Sequence, residues 1–91
     1  MSNNKKPVSK ITVYPVSAAI WRNENAKGEV FYNFTLERSY KDDKDEYQSS
    51  GSFGRIDALL LEKVAGRVFN EISKLQAADR AANKQTEQTE E

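Results

Sequence analysis

The chain contains no cysteine and no histidine. Disulfides, thiol nucleophiles, Cys/His zinc sites and imidazole acid–base chemistry are therefore excluded. No apolar run approaches the ~20 residues needed to span a bilayer. The segment Met1–Lys10 is basic but lacks an apolar stretch behind it, so it does not read as a secretory signal. Absence of cysteine fits a reducing compartment, and a cytoplasmic location is expected. The sequon Asn33-Phe34-Thr35 falls inside an expected strand and is not read as a glycosylation site.

Net charge is also missing: 14 basic residues balance 14 acidic ones. This argues against a strongly electrostatic nucleic-acid binder. The distribution is uneven, however. Residues 1–22 hold Lys5, Lys6, Lys10 and Arg22 and no acid. Residues 1–83 carry 13 basic and 11 acidic side chains, a net +2. Any anion binding must come from local patches.

With 91 residues the chain makes one domain with a small core. Lacking disulfide or metal staples, it is expected to share burial with a second copy as a homodimer. Residues 1–9 are polar and expected to be disordered, 10–82 form a single α+β domain, and 83–91 form a disordered acidic tail.

Three β-like segments span 11–22, 30–40 and 46–53. Pro15 is allowed at an edge or bulge of the first. Asn23 to Gly28 supplies a turn with Asn and Gly available for positive φ. In the second segment, Val30, Tyr32, Phe34 and Leu36 alternate with Phe31, Asn33, Thr35 and Glu37. This period of two assigns the first set to a buried face and the second to an open face. Lys41 to Asp45 forms a charged turn, and Tyr47 to Phe53 the next strand, with Gly51 marking a bulge or close approach. Ile56, Leu60, Val64, Val68 and Ile72 recur every four residues. Leu61, Ala65, Phe69 and Leu75 widen that stripe into a helix over about 55–82. Ser52 or Asp57 caps its start. Gly66 inside the helix points to close packing against another element. The expected core is Val30, Tyr32, Phe34, Leu36, Phe53, Leu60, Val64 and Val68.

Asp42-Asp43-Lys44-Asp45-Glu46 invites a calcium reading. A loop starting at Asp43 would need Gly sixth and Glu twelfth, where Gln48 and Gly54 stand. A solvated turn is the better reading, and no metal or other cofactor is expected. Gly51-Ser52-Phe53-Gly54 has a phosphate-loop spacing but reads first as strand exit and helix entry. Trp21 and Phe31 fall with the polar set, on the open face. Exposed aromatics on a sheet stack on unpaired bases; packing against the N-terminal segment or in a dimer interface is the competing reading. Arg22, Arg38, Lys41 and Lys44 cluster at strand ends, suited to grip phosphates or to pair with nearby acids. No nucleophile–base pair or paired carboxylates stand out, so no catalysis is expected.

Strands, Arg38-Ser39-Tyr40, a charged turn, Gly51-Ser52-Phe53 and one C-terminal helix follow in that order over roughly residues 11–73. This arrangement resembles the positive-cofactor-four family of single-stranded-DNA-binding transcriptional coactivators. The resemblance implies a curved antiparallel sheet followed by one long amphipathic helix, dimerisation through the helix, and sheets that bind unpaired DNA. The chain also is similar to a group of small uncharacterised bacterial, plasmid and phage proteins. Their pattern stands here as Ile20-Trp21-Arg22-Asn23-Glu24, Tyr32, Arg38-Ser39-Tyr40-Lys41-Asp42 and Ser52-Phe53. Where the coactivators carry lysines before the glycine of the last strand, this chain has Gln48, Ser49 and Ser50; Leu59 to Leu61 stand where they carry an aromatic.

The expectation is thus a non-catalytic homodimer binding single-stranded nucleic acid, DNA favoured, on the open sheet face. Trp21 and Phe31 would stack on bases, and Arg22, Arg38 and Lys41 would contact phosphates. The alternative is a protein-interaction module that docks a partner chain on that face or on an edge strand.

Overall fold

The computed structural model describes residues 6–90, with side chains through Ala82. Residues 1–5 and 91, parts of the two expected disordered termini, lie outside the described residues. Four strands precede one helix: β1 (Ser9–Val13), β2 (Val16–Glu24), β3 (Val30–Lys41), β4 (Tyr47–Ser50) and α1 (Arg55–Glu90). The strands form one antiparallel sheet in the order β1-β2-β3-β4. The architecture is α+β.

The first expected strand is two. Tyr14 and Pro15, joined by a cis peptide, turn the chain so that Val13 pairs with Val16 and Ser9 with Ile20. The other two hairpins share one device, a side-chain oxygen that ties up turn amides. Asn25 Oδ1 accepts from the amides of Lys27 and Glu29, and Gly28 takes φ 83°. Asp42 Oδ1 accepts from the amides of Lys44 and Glu46 while Asp45 takes φ 67°.

At the helix start, Asp57 Oδ2 accepts from the Gly54 amide at 2.8 Å. This is the reaching-back half of a capping box. The backbone stays helical to Glu90, past the expected end near 82, over a stretch rich in Ala, Gln, Lys and Glu that favours helix.

The helix rests on β2 and β1. Val16, Ala18 and Ile20 of β2 meet Val64 and Val68 of α1 to form the fully buried core. Ile11, Val13, Tyr32, Leu36, Phe53, Leu60, Leu61, Ile72 and Leu75 pack around it, half-buried. The expected core is thus corrected. Val30 and Phe34 share the helix side of the sheet but are 37% and 42% exposed. Ile56, expected in the buried stripe, is exposed too. The reason is width. A helix about 10 Å across covers roughly two strands spaced about 4.8 Å apart, and here those strands are β1 and β2.

Side-chain bonds fix the tilt of the helix. Near its start Arg38 of β3 pairs with Asp57 at 3.5 Å. Further on, Ser9 of β1 donates to Glu71 at 3.2 Å. In its far half Tyr32 of β3 donates to Asp79 at 2.6 Å. Leu59, Gly66 and Phe69 fall on the back of the helix, away from its own sheet. A Cβ at Gly66 would meet nothing within 4 Å, so its expected close packing is not against this chain.

Candidate nucleic-acid interface

Register assigns every strand residue to a face, because directly paired residues point to the same side. The helix-free face carries Trp21, Asn23, Phe31 and Asn33 at one end, through the pairs Trp21–Asn33 and Asn23–Phe31. At the other end it carries Ser39, Lys41, Tyr47 and Ser49. Between them lie Ser17, Ala19, Thr35 and Glu37, with Lys10 and Thr12 along β1. The middle of this face is therefore a floor of small and hydroxyl side chains with a single carboxylate.

Trp21 and Phe31 are diagonal neighbours across β2 and β3, close enough for aromatic side chains to touch a common ligand. The Trp21 Nε1–H donates to Thr35 Oγ1 at 3.2 Å, which holds the indole leaning across β3. Asn23 Nδ2 donates to Asn33 Oδ1 at 3.1 Å, bracing the same end. Phe31 is exposed. Lys41 sits with its ammonium 5.4 Å from the Tyr47 ring centroid and 3.6 Å from Asp45. A hydrogen bond with Tyr14 holds the Tyr47 phenol above its ordinary value.

Of the five residues singled out in the sequence, Trp21, Phe31 and Lys41 share this open face. Arg22 and Arg38 do not. Arg22 pairs with Tyr32 on the helix side, its Nε 3.9 Å from Asp79. Arg38 pairs with Val16 on that side, donates to the Ser52 carbonyl at 2.9 Å and lies 5.5 Å from the Tyr40 ring centroid. Arg38 ties the sheet to the start of the helix through Asp57, while Arg22 makes a longer, exposed ion pair with Asp79. The signal was present in the sequence: Arg22 has the parity of Ile20, and Arg38 that of Leu36. The same parity count adds Tyr47 and Lys10 to the open face, where the alternation had already put Glu37.

Two other places are less suited to a ligand. The acidic turn has committed Asp42: its carboxylate accepts from two amides and from Gln48 Nε2, and the backbone bonds hold it below the usual carboxylate range. Among the described residues no cluster of three or more metal-ligating side chains occurs. A cleft of about 620 Å³ opens between the β2–β3 hairpin and the far half of the helix. Arg22 and Arg80 line it beside Glu29 and Asp79, so its charges balance and it offers no net pull on an anion.

Among the described residues no helix is long and apolar enough to cross a membrane. Comparisons with protein-family models, with curated proteins and with solved structures gave no significant match.

Proposed function

We propose that this protein binds single-stranded nucleic acid, DNA in preference, on the helix-free face of its sheet, without catalysis, as a cytoplasmic homodimer. The observation that carries the reading is the placement of Trp21 and Phe31 together on the uncovered face, beside Asn23 and Asn33. Aromatic rings on an open sheet stack on any base, and neighbouring amides hydrogen-bond base edges. Lys41 and Lys10 supply the cations of that face. Arg22 and Arg38 act on the other side, where Arg38 holds the start of the helix in place.

The dimer reading rests on two surfaces that expose large apolar side chains, the second of them beside Glu62, Lys63 and Arg67. Phe34 and Val30 lie on the half of the sheet that the helix leaves uncovered. Phe69 and Leu59, 72% and 63% exposed, lie on the back of the helix. A second copy related by a twofold axis covers both at once: each helix back settles on the partner's β3–β4 half. Gly66, between Leu59 and Phe69, then permits close approach. The helix-free face stays open in such a dimer.

One observation favours a second reading. Glu37 places a carboxylate in the middle of the open face, which repels phosphate and suits a peptide partner. Fluorescence anisotropy with labelled oligonucleotides, single- and double-stranded, at low and moderate salt separates the two. Salt-sensitive binding of the single strand supports the nucleic-acid reading. No binding of either at low salt refutes it.

A further inference from the structure

The open face has a second aromatic end. Tyr14 and Tyr47 are 66% and 63% exposed, more than Trp21 or Phe31. They come from different hairpins. Tyr14 sits in the β1–β2 turn, and Tyr47 begins β4, opposite Lys41. The backbone fixes their ends of the sheet together, since the Ser39 amide donates to the Pro15 carbonyl at 2.9 Å. The neighbouring Tyr14 side chain raises the Tyr47 phenol above its ordinary value. The Lys41 ammonium stands over the Tyr47 ring. None of these groups supports the core, which lies on the other side of the sheet. Large exposed rings with a cation and no packing role need a different explanation.

We infer that Tyr14, Tyr47 and Lys41 form a second stacking station for the same single strand, at the far end of the open face from Trp21 and Phe31. The inference rests on the nucleic-acid reading above and adds the length and path of the bound strand. Asn33, opposite Trp21, and Lys41, opposite Tyr47, are both on β3. Eight residues of strand separate them, about 26 Å at roughly 3.3 Å per residue. A strand stacked at about 3.4 Å per nucleotide crosses that span in about eight nucleotides, and one stretched to twice that spacing in about four. The floor between the stations, Ser17, Ala19, Thr35 and Ser39, is low enough for a strand to pass. Lys41 neutralises a phosphate at the second station, while Tyr47 offers a ring to a base. Glu37, midway, keeps the strand from settling flat between the stations and directs its tight contacts to the two ends.

The test uses the full chain and two fluorescein-labelled oligothymidylates, one of three nucleotides and one of twelve. Binding is read by anisotropy at low salt for the wild type, Trp21→Ala, Tyr47→Ala, Tyr14→Ala and Tyr47→Phe. Helix content by circular dichroism confirms that each variant folds. The expected result is that the 12-mer binds more tightly than the 3-mer. Tyr47→Ala should weaken the 12-mer at least about fivefold and leave the 3-mer unchanged. Trp21→Ala should weaken both, and Tyr47→Phe should bind the 12-mer like wild type, because stacking needs the ring and not the hydroxyl. If both oligonucleotides bind but neither tyrosine-to-alanine change affects the 12-mer, the second station is overturned while the nucleic-acid reading stands. Equal losses for both lengths in Tyr47→Ala overturn it too, since one compact site would then serve both. If neither oligonucleotide binds wild type, the nucleic-acid reading falls and the station with it.

Discussion

Ile20 and Phe34 stand directly opposite each other across the β2–β3 ladder, yet Ile20 is wholly enclosed and Phe34 is 42% exposed. The boundary of the helix's cover runs between them. Ile20→Ala should cost about 2–5 kcal/mol, the usual range for truncating an enclosed aliphatic side chain. The cost should be independent of protein concentration. Urea denaturation at two concentrations measures it. A loss below about 1 kcal/mol would show that β2 is not the strand under the helix.

Phe34 and Phe69, both exposed in the single chain, should behave differently if the proposed dimer forms. Wild type should sediment as a dimer at micromolar concentration. Phe69→Glu should sediment as a monomer with its helix intact, since a carboxylate on the helix back cannot be buried without a partner. Gly66→Leu should weaken the dimer without unfolding the chain. A wild type that sediments as a monomer throughout would rule out the dimer.

Tyr32 and Asp79 tie β3 to the far half of the helix with a 2.6 Å hydrogen bond. Tyr32→Phe should cost roughly 0.5–1.5 kcal/mol at neutral pH. The bond to Asp79, followed by burial, raises the Tyr32 phenol above its ordinary 10.0. A raised value in the folded state means the neutral phenol is favoured by folding. Its contribution is therefore full below about pH 10 and is lost as pH rises through the higher folded value. Between pH 8 and 11, wild type should lose more stability than Tyr32→Phe in chemical denaturation. Equal losses would show that the bond does not persist in solution.

Much of this was legible in the sequence, and the limits have physical causes. Alternation over Val30 to Tyr40 and the four-residue spacing over Ile56 to Ile72 located β3 and α1, because both periods are local properties of the backbone. Trp21 and Phe31 fell on the open face for the same reason. The turn at Tyr14-Pro15 was missed because a single proline fits an edge strand as well as a hairpin. Which strands lie under the helix was not legible at all. Alternation gives a side of the sheet, and only tertiary packing chooses between β1–β2 and β3–β4. Arg22 and Arg38 were grouped with Lys41 by charge when their parity already set them apart.

That separation has a consequence for salt dependence. Lys41→Ala should weaken single-strand binding and flatten the log–log salt slope by about 0.7, one phosphate contact. Arg38→Ala should leave the slope unchanged and instead cost roughly 1–2 kcal/mol of stability, through its bonds to Ser52 and Asp57. Removing the central carboxylate, Glu37→Gln, should tighten binding. A flattened slope in Arg38→Ala would return that arginine to the nucleic-acid contact.

If unpaired bases stack on the open face, the chain's one tryptophan stands there to report it. Titrating the protein with unlabelled single-stranded oligonucleotide at low salt, while following tryptophan emission, reads the contact itself. Saturable quenching that reverses on raising the salt is expected, with a loss of roughly 1–3 kcal/mol in affinity by anisotropy for Trp21→Ala. Unchanged emission with no rise in anisotropy would contradict base stacking there and would leave the open face to a protein partner.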